Sequence, residues 1–127
     1  MKEEAFKKKI IKDVKSIGGA CWKLSPYGNA GFPDLLIQKN KTLYFEAKQS
    51  ESYEAMMKRI EVSNPLQNIE RKKIIRAGGI YWLAGTTKKH KVILIAWLPY
   101  EETQSHCFTF EKYIYFKEFL FTFLKGE

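Results

Sequence analysis

The stretch that decides the fold runs from Gly31 to Lys48, GFPDLLIQKNKTLYFEAK. It reads as two short apolar strands, Asp34–Ile37 and Leu43–Lys48, joined by a polar turn. Side chains on a strand alternate faces, so Glu46 and Lys48 share one face while Phe45 and Ala47 take the other. Asn tolerates a left-handed backbone and suits a turn apex. With Asn40 at the apex, Asp34 and Glu46 lie at equal distances on either side of it, directly across from each other. Opposed Cβ atoms are roughly 4.5–5.5 Å apart, close enough for both carboxylates to ligate one ion. Two acids side by side on apolar strands repel each other and need a cation to tolerate that placement.

The donor types narrow the chemistry. Two carboxylates are hard oxygen ligands suited to Mg2+, with Mn2+ expected to substitute, and Mg2+ keeps waters and accepts phosphate oxygens. The Ala47 carbonyl is a further candidate metal ligand. The Lys48 ammonium can orient or activate an attacking water, or stabilise charge developing on a phosphate. These are the parts of metal-assisted phosphodiester hydrolysis. The same letters also fit an ordinary hairpin with an exposed Glu-x-Lys pair. The apolar strands, the register of the two acids and the abundance of basic residues favour the site.

The run Gly31-Phe32-Pro33-Asp34-Leu35-Leu36-Ile37, followed by Phe45-Glu46-Ala47-Lys48, resembles the PD-(D/E)xK nuclease superfamily. Within it the chain is most similar to Holliday-junction resolvases and the virus-type replication-repair nuclease domains. Asn64-Pro65-Leu66-Gln67, a basic helix and Gly78-Gly79 resemble the Gln-bearing helix of those groups. The resemblance spans residues 3–85. It implies a restriction-endonuclease-like α/β fold, a small mixed β-sheet flanked by helices. It also implies Mg2+-dependent cleavage of DNA, with branched junctions as preferred substrate and a homodimer making paired cuts. The family's first helix often supplies a further Glu, and its usual position falls on Lys7 here, so the acid would come from Glu3, one turn earlier. Glu3 heads the apolar stripe of its helix, and charge favouring the helix dipole explains it equally well.

A length of 127 residues indicates one domain, able to bury a core without staples. An apolar content of 45% excludes a disordered tail. Lys and Arg number 22 against 14 acids, a net charge of +8 that suits a polyanionic partner such as nucleic acid. Cys21 and Cys107 form no C-x-x-C pattern and are expected to be packed, reduced thiols. His90 and His106 lack zinc spacing. No leader and no apolar run long enough for a membrane is visible, so an intracellular, cytoplasmic protein is expected.

Phe6, Ile10, Val14 and Ile17 predict an amphipathic helix over residues 3–17, ended by Gly18-Gly19, with lysines away from the stripe. Gly19–Leu24 predicts a strand, and Ser25–Phe32 a loop whose Ser25, Tyr27 and Asn29 are polar contacts or plain loop residues. A short helix is expected within residues 51–61. Ser63-Asn64-Pro65 opens the next helix, where Gln67 suits either a capping box with Asn64 or a contact to substrate or water. Ile80–Ala84 and Val92–Trp97 predict strands joined by a Lys88–Lys91 turn. Residues 111–125 predict a helix with aromatics on nearly every side, buried or at an interface. Candidate catalytic residues are therefore Asp34, Glu46, Lys48, Gln67 and Glu3. Candidate DNA-contacting cations are Lys8, Lys12, Arg71, Lys72, Arg76, Lys88 and Lys89, each of which also suits a solvated surface. The rival readings are a nuclease or nickase acting on other DNA structures, a non-catalytic nucleic-acid-binding module, and a protein-interaction domain built on the last helix.

Overall fold

The computed structural model describes residues 1–24, 31–59 and 65–126. Helix α1 (Glu3–Ser16) buries Phe6, Ile10 and Val14, the expected stripe, and leaves Lys8, Lys9, Lys12 and Lys15 exposed. It ends in a Schellman motif: Gly18, at φ 82°, donates to Lys15 O and Gly19 donates to Val14 O. Strand β1 (Ala20–Lys23) then pairs antiparallel with β2 (Leu35–Lys39), which turns at Asn40 into β3 (Lys41–Gln49). Asn40 has φ 61°, the left-handed conformation expected of the apex.

Two helices cross one face of the sheet before the next strand. They are α2 (Tyr53–Lys58), capped by Ser52 Oγ accepting from Ala55 N, and α3 (Pro65–Arg76). The end of α3 repeats the closure of α1, with Gly78 at φ 94° donating to Ile75 O and Gly79 to Ile74 O. This crossover makes β4 (Ile80–Thr86) parallel to β3. Strands β5 (Val92–Trp97) and β6 (His106–Phe110) add antiparallel, and α4 (Tyr113–Leu124) closes the chain. The result is a mixed six-stranded α/β sheet in the order β1-β2-β3-β4-β5-β6, flanked by helices. None of the described helices is long and apolar enough to cross a membrane.

The two faces follow the period of two. Leu43, Phe45 and Ala47 of β3, Trp82 and Ala84 of β4, and Val92, Leu94 and Ala96 of β5 join the core that α1 and α4 cover. Tyr81, Leu83, Ile93, Ile95 and Trp97 point the other way and pack with Met56 and Ile75 beneath α2 and α3. Helix α4 buries Tyr113, Phe116, Leu120 and Leu124 and leaves Ile114 and Tyr115 exposed.

Three expectations change. Asp34 stands just before β2 rather than opening it, and there its carbonyl accepts from Leu24 N at 2.9 Å. Cys107 is exposed on β6, and only Cys21 is half-buried. Strand β6 itself was not expected. It is a sheet edge whose Phe108 and Phe110 stack against Phe119. The proposed loop contacts at Ser25, Tyr27 and Asn29, and the Asn64 cap, lie outside the described residues.

Candidate active site

The β2–β3 register pairs Leu35 with Phe45 and Leu36 with Tyr44. Continued by one residue it sets Asp34 across from Glu46, as the position of Asn40 required. Asp34 Oδ2 accepts a hydrogen bond from Ala47 N at 2.8 Å, which ties the carboxylate to β3. Glu46 lies on the α3 side of β3 and is only 3% exposed. Its Oε1 has no hydrogen-bond partner among the described residues. A buried carboxylate oxygen left unpaired is costly. Burial pushes the Glu46 carboxyl up to about 7, Lys48 pulls it down, Asp34 pushes it up, and Arg71 and Glu3 act more weakly in opposite directions.

Lys48 follows on the same face of β3, buried, and donates to Gln67 Oε1 at 3.0 Å. That contact brings the first turn of α3 to the site. Opposite Lys48 in the β3–β4 register is Gly85, where a Cβ would fall 2.5 Å from Met56 Sδ, so the missing side chain lets α2 lie close. Asp34, Glu46, Ala47, Lys48 and Gln67 are thus gathered at one end of the sheet. Glu3 is half-buried in the first turn of α1, near enough for its charge to act on Glu46 and Lys7.

A metal fits this donor set. Asp34 and Glu46 are facing carboxylates, one with an orphaned buried oxygen, and the Ala47 carbonyl belongs to the same strand. Among the described residues no group of three or more His, Cys, Asp or Glu side chains gathers, so an ion placed here would take few protein carboxylates. Such a site suits an ion that keeps several waters.

The cations sort by position. Lys88 and Lys89 are exposed in the β4–β5 turn, which projects from the same end of the sheet as Lys48. Lys8 and Lys12 are exposed on α1 and Lys72 is half-buried on α3. Arg76 lies at the far end of α3, ion-paired with Glu102. Arg71 is buried, bonded to Asn68 Oδ1 and stacked 4.4 Å from the Trp97 ring, inside the layer beneath α3. Helical charge alone placed it with the surface cations; its burial depends on Trp97, a residue from β5.

One side chain outside the candidate catalytic set also reaches the site. Lys7 Nζ stands 3.8 Å from Asp34 Oδ1 and 2.6 Å from Glu4 Oε1. The signal was present, because Lys7 lies about 40° around the helix from Glu3, the residue singled out for heading the stripe. Burial works against the Lys7 ammonium, but the hydrogen bond to Glu4 and the charges of Asp34, Glu4 and Glu3 outweigh it and raise its pKa.

No family model and no curated protein matches the chain. Among solved structures, the chain is similar to that of Hjc from Archaeoglobus fulgidus, a Holliday junction resolvase from an archaeal hyperthermophile. The two share 14% identity at a TM-score of 0.45, over 89% of this chain and 86% of that chain.

Proposed function

We propose that the protein is a divalent-metal-dependent endodeoxyribonuclease and that Asp34, Glu46 and Lys48 are its working centre. The observation that carries this reading is the facing pair Asp34 and Glu46, with a buried Glu46 oxygen lacking a hydrogen-bond partner among the described residues. Asp34, Glu46 and the Ala47 carbonyl would hold Mg2+ or Mn2+. When bound, the ion supplies Lewis-acid stabilisation of the charge that builds on a phosphodiester.

The chain's own groups do the rest. An ammonium has three N–H donors and no acceptor. Lys48 spends one donor on Gln67, which fixes its direction and leaves the others for an attacking water or a phosphate oxygen. Gln67 is therefore a positioning residue for Lys48. Ala47 N holds Asp34 in the orientation that faces Glu46. The Lys88–Lys89 turn and the exposed lysines of α1 supply phosphate contacts, which carry no base information.

Branched DNA as the substrate follows from the motif resemblance; paired cuts in opposed strands then need two sites, which a two-fold dimer provides, with α4, where Ile114 and Tyr115 are exposed, as its interface. The test is cleavage with Mg2+ of linear, nicked, flapped and four-way DNA in parallel, with sedimentation of the protein with and without junction. Cleavage concentrated on the four-way substrate by a dimer is expected. A strict monomer that cuts flaps or nicks equally well would remove the junction reading and keep the nuclease.

A further inference from the structure

Two lysines approach the carboxylate pair, and they are held differently. Lys48 is held by Gln67, a neutral amide acceptor, so its charge remains available. Lys7 comes from the opposite side, out of α1, and lies between carboxylates. Asp34 commits Oδ2 to Ala47 N, leaving Oδ1 for a cation, and Lys7 Nζ is at 3.8 Å from that oxygen. The Lys7 side chain is only 15% exposed, whereas Glu4 is 70% exposed. An ammonium so placed stabilises the charged forms of Asp34 and Glu4. It also stands where a dication on Asp34 would meet a like charge. Its flexible stem and the exposed Glu4 carboxylate give it somewhere to withdraw.

Resting on the metal-site reading above, we infer that Lys7 is the resident counter-cation of Asp34. It competes with the divalent ion for Asp34 and so sets the affinity of the site for metal. Lys7 acts through Asp34 and is not assigned a contact with the reacting atoms. The inference concerns charge, so it predicts an order. Lys7→Arg retains the competitor, Lys7→Met and Lys7→Gln remove it, and Lys7→Glu replaces it with a further attraction. A role limited to packing or to helix α1 would not produce affinities ranked by charge.

The experiment is calorimetric titration of the full chain with Mn2+ and with Mg2+, for the wild type, these four variants and Asp34→Asn, each checked for fold by circular dichroism. Lys7→Met and Lys7→Gln should bind metal tighter by roughly tenfold, the scale on which a neighbouring charge commonly shifts such an equilibrium. Lys7→Glu should be tighter still, and Lys7→Arg close to wild type. If the wild type binds no metal but Lys7→Met does, Lys7 is confirmed as the competitor; binding by Lys7→Glu alone, which adds a carboxylate ligand, would overturn the inference. If metal binding depends on Asp34 but the Lys7 variants match wild type or bind more weakly, the inference is overturned and the metal site stands. If no variant binds metal, the site reading falls and takes the inference with it.

Discussion

The two faces of the sheet are built for different work. The face under α1 and α4 is apolar and rich in rings: Phe6, Phe45, Phe116 and Tyr113 meet at centroid separations of 5.9–6.3 Å. The face under α2 and α3 has a smaller apolar cluster and places Glu46, Lys48 and Arg71 among it, all buried. The same three strands serve both. Phe45 and Ala47 anchor β3 to the first face, and the alternating Glu46 and Lys48 are thereby forced into the second. A well-packed face can hold side chains on its reverse that the sheet would not retain for stability alone. Burying a charge without a full set of partners is unfavourable, and sites of that kind are where function concentrates.

The largest effect should come from the packed face. Phe116 is fully buried and contacts Phe6, Phe45, Trp82, Phe110 and Tyr113. Phe116→Ala is expected to destabilise by about 3–5 kcal/mol in urea unfolding. A cost under about 1 kcal/mol would show that this face is not the main core.

The charged face should respond in the opposite direction. The Glu46 carboxyl is raised from 4.5 to about 7 in the folded chain. A raised carboxyl contributes stability that is complete below its unfolded value and is lost as pH rises through the folded one. Metal-free wild type should therefore lose up to about 3 kcal/mol relative to Glu46→Gln between pH 4.5 and pH 8. At pH 8 the Gln variant should be the more stable of the two, and added Mg2+ should narrow the gap by stabilising wild type alone. A difference between the two proteins that does not change with pH would break the contrast between the faces. The smallest effect belongs to the surface. The Arg76–Glu102 pair has an arginine 63% exposed, and Arg76→Ala should leave the urea midpoint nearly unchanged, because solvent screens an exposed pair.

Much of this was legible because it depends on local rules. Asn40 as the apex fixed the hairpin register, and alternation then assigned Phe45 and Glu46 to different faces. The paired glycines after α1 and α3 marked both helix ends. What escaped depends on partners distant in the sequence. Strand β6 is a short edge strand, and Phe108 and Phe110 acquire meaning only when α4 returns to cover them. Arg71 reads as one more cation on a basic helix until Trp97 arrives from β5. Lys7 is one lysine among several on α1 until the end of that helix is set against Asp34. The neighbourhood of Lys48 and Gln67 was foreseen as two separate candidates, and the crossover through α2 and α3 joins them by a hydrogen bond.

The function proposed for the charged cluster on the second face is DNA cleavage with a divalent metal. The direct measurement is cleavage of four-way and duplex DNA with and without Mg2+ by wild type, Asp34→Asn and Glu46→Gln, alongside metal-free DNA binding by the same proteins. Mg2+-dependent cleavage by wild type, loss of cleavage in both variants, and DNA binding retained by all three are expected. Cleavage by either variant at the wild-type rate, or no cleavage by wild type on any substrate with Mg2+ or Mn2+, would contradict it.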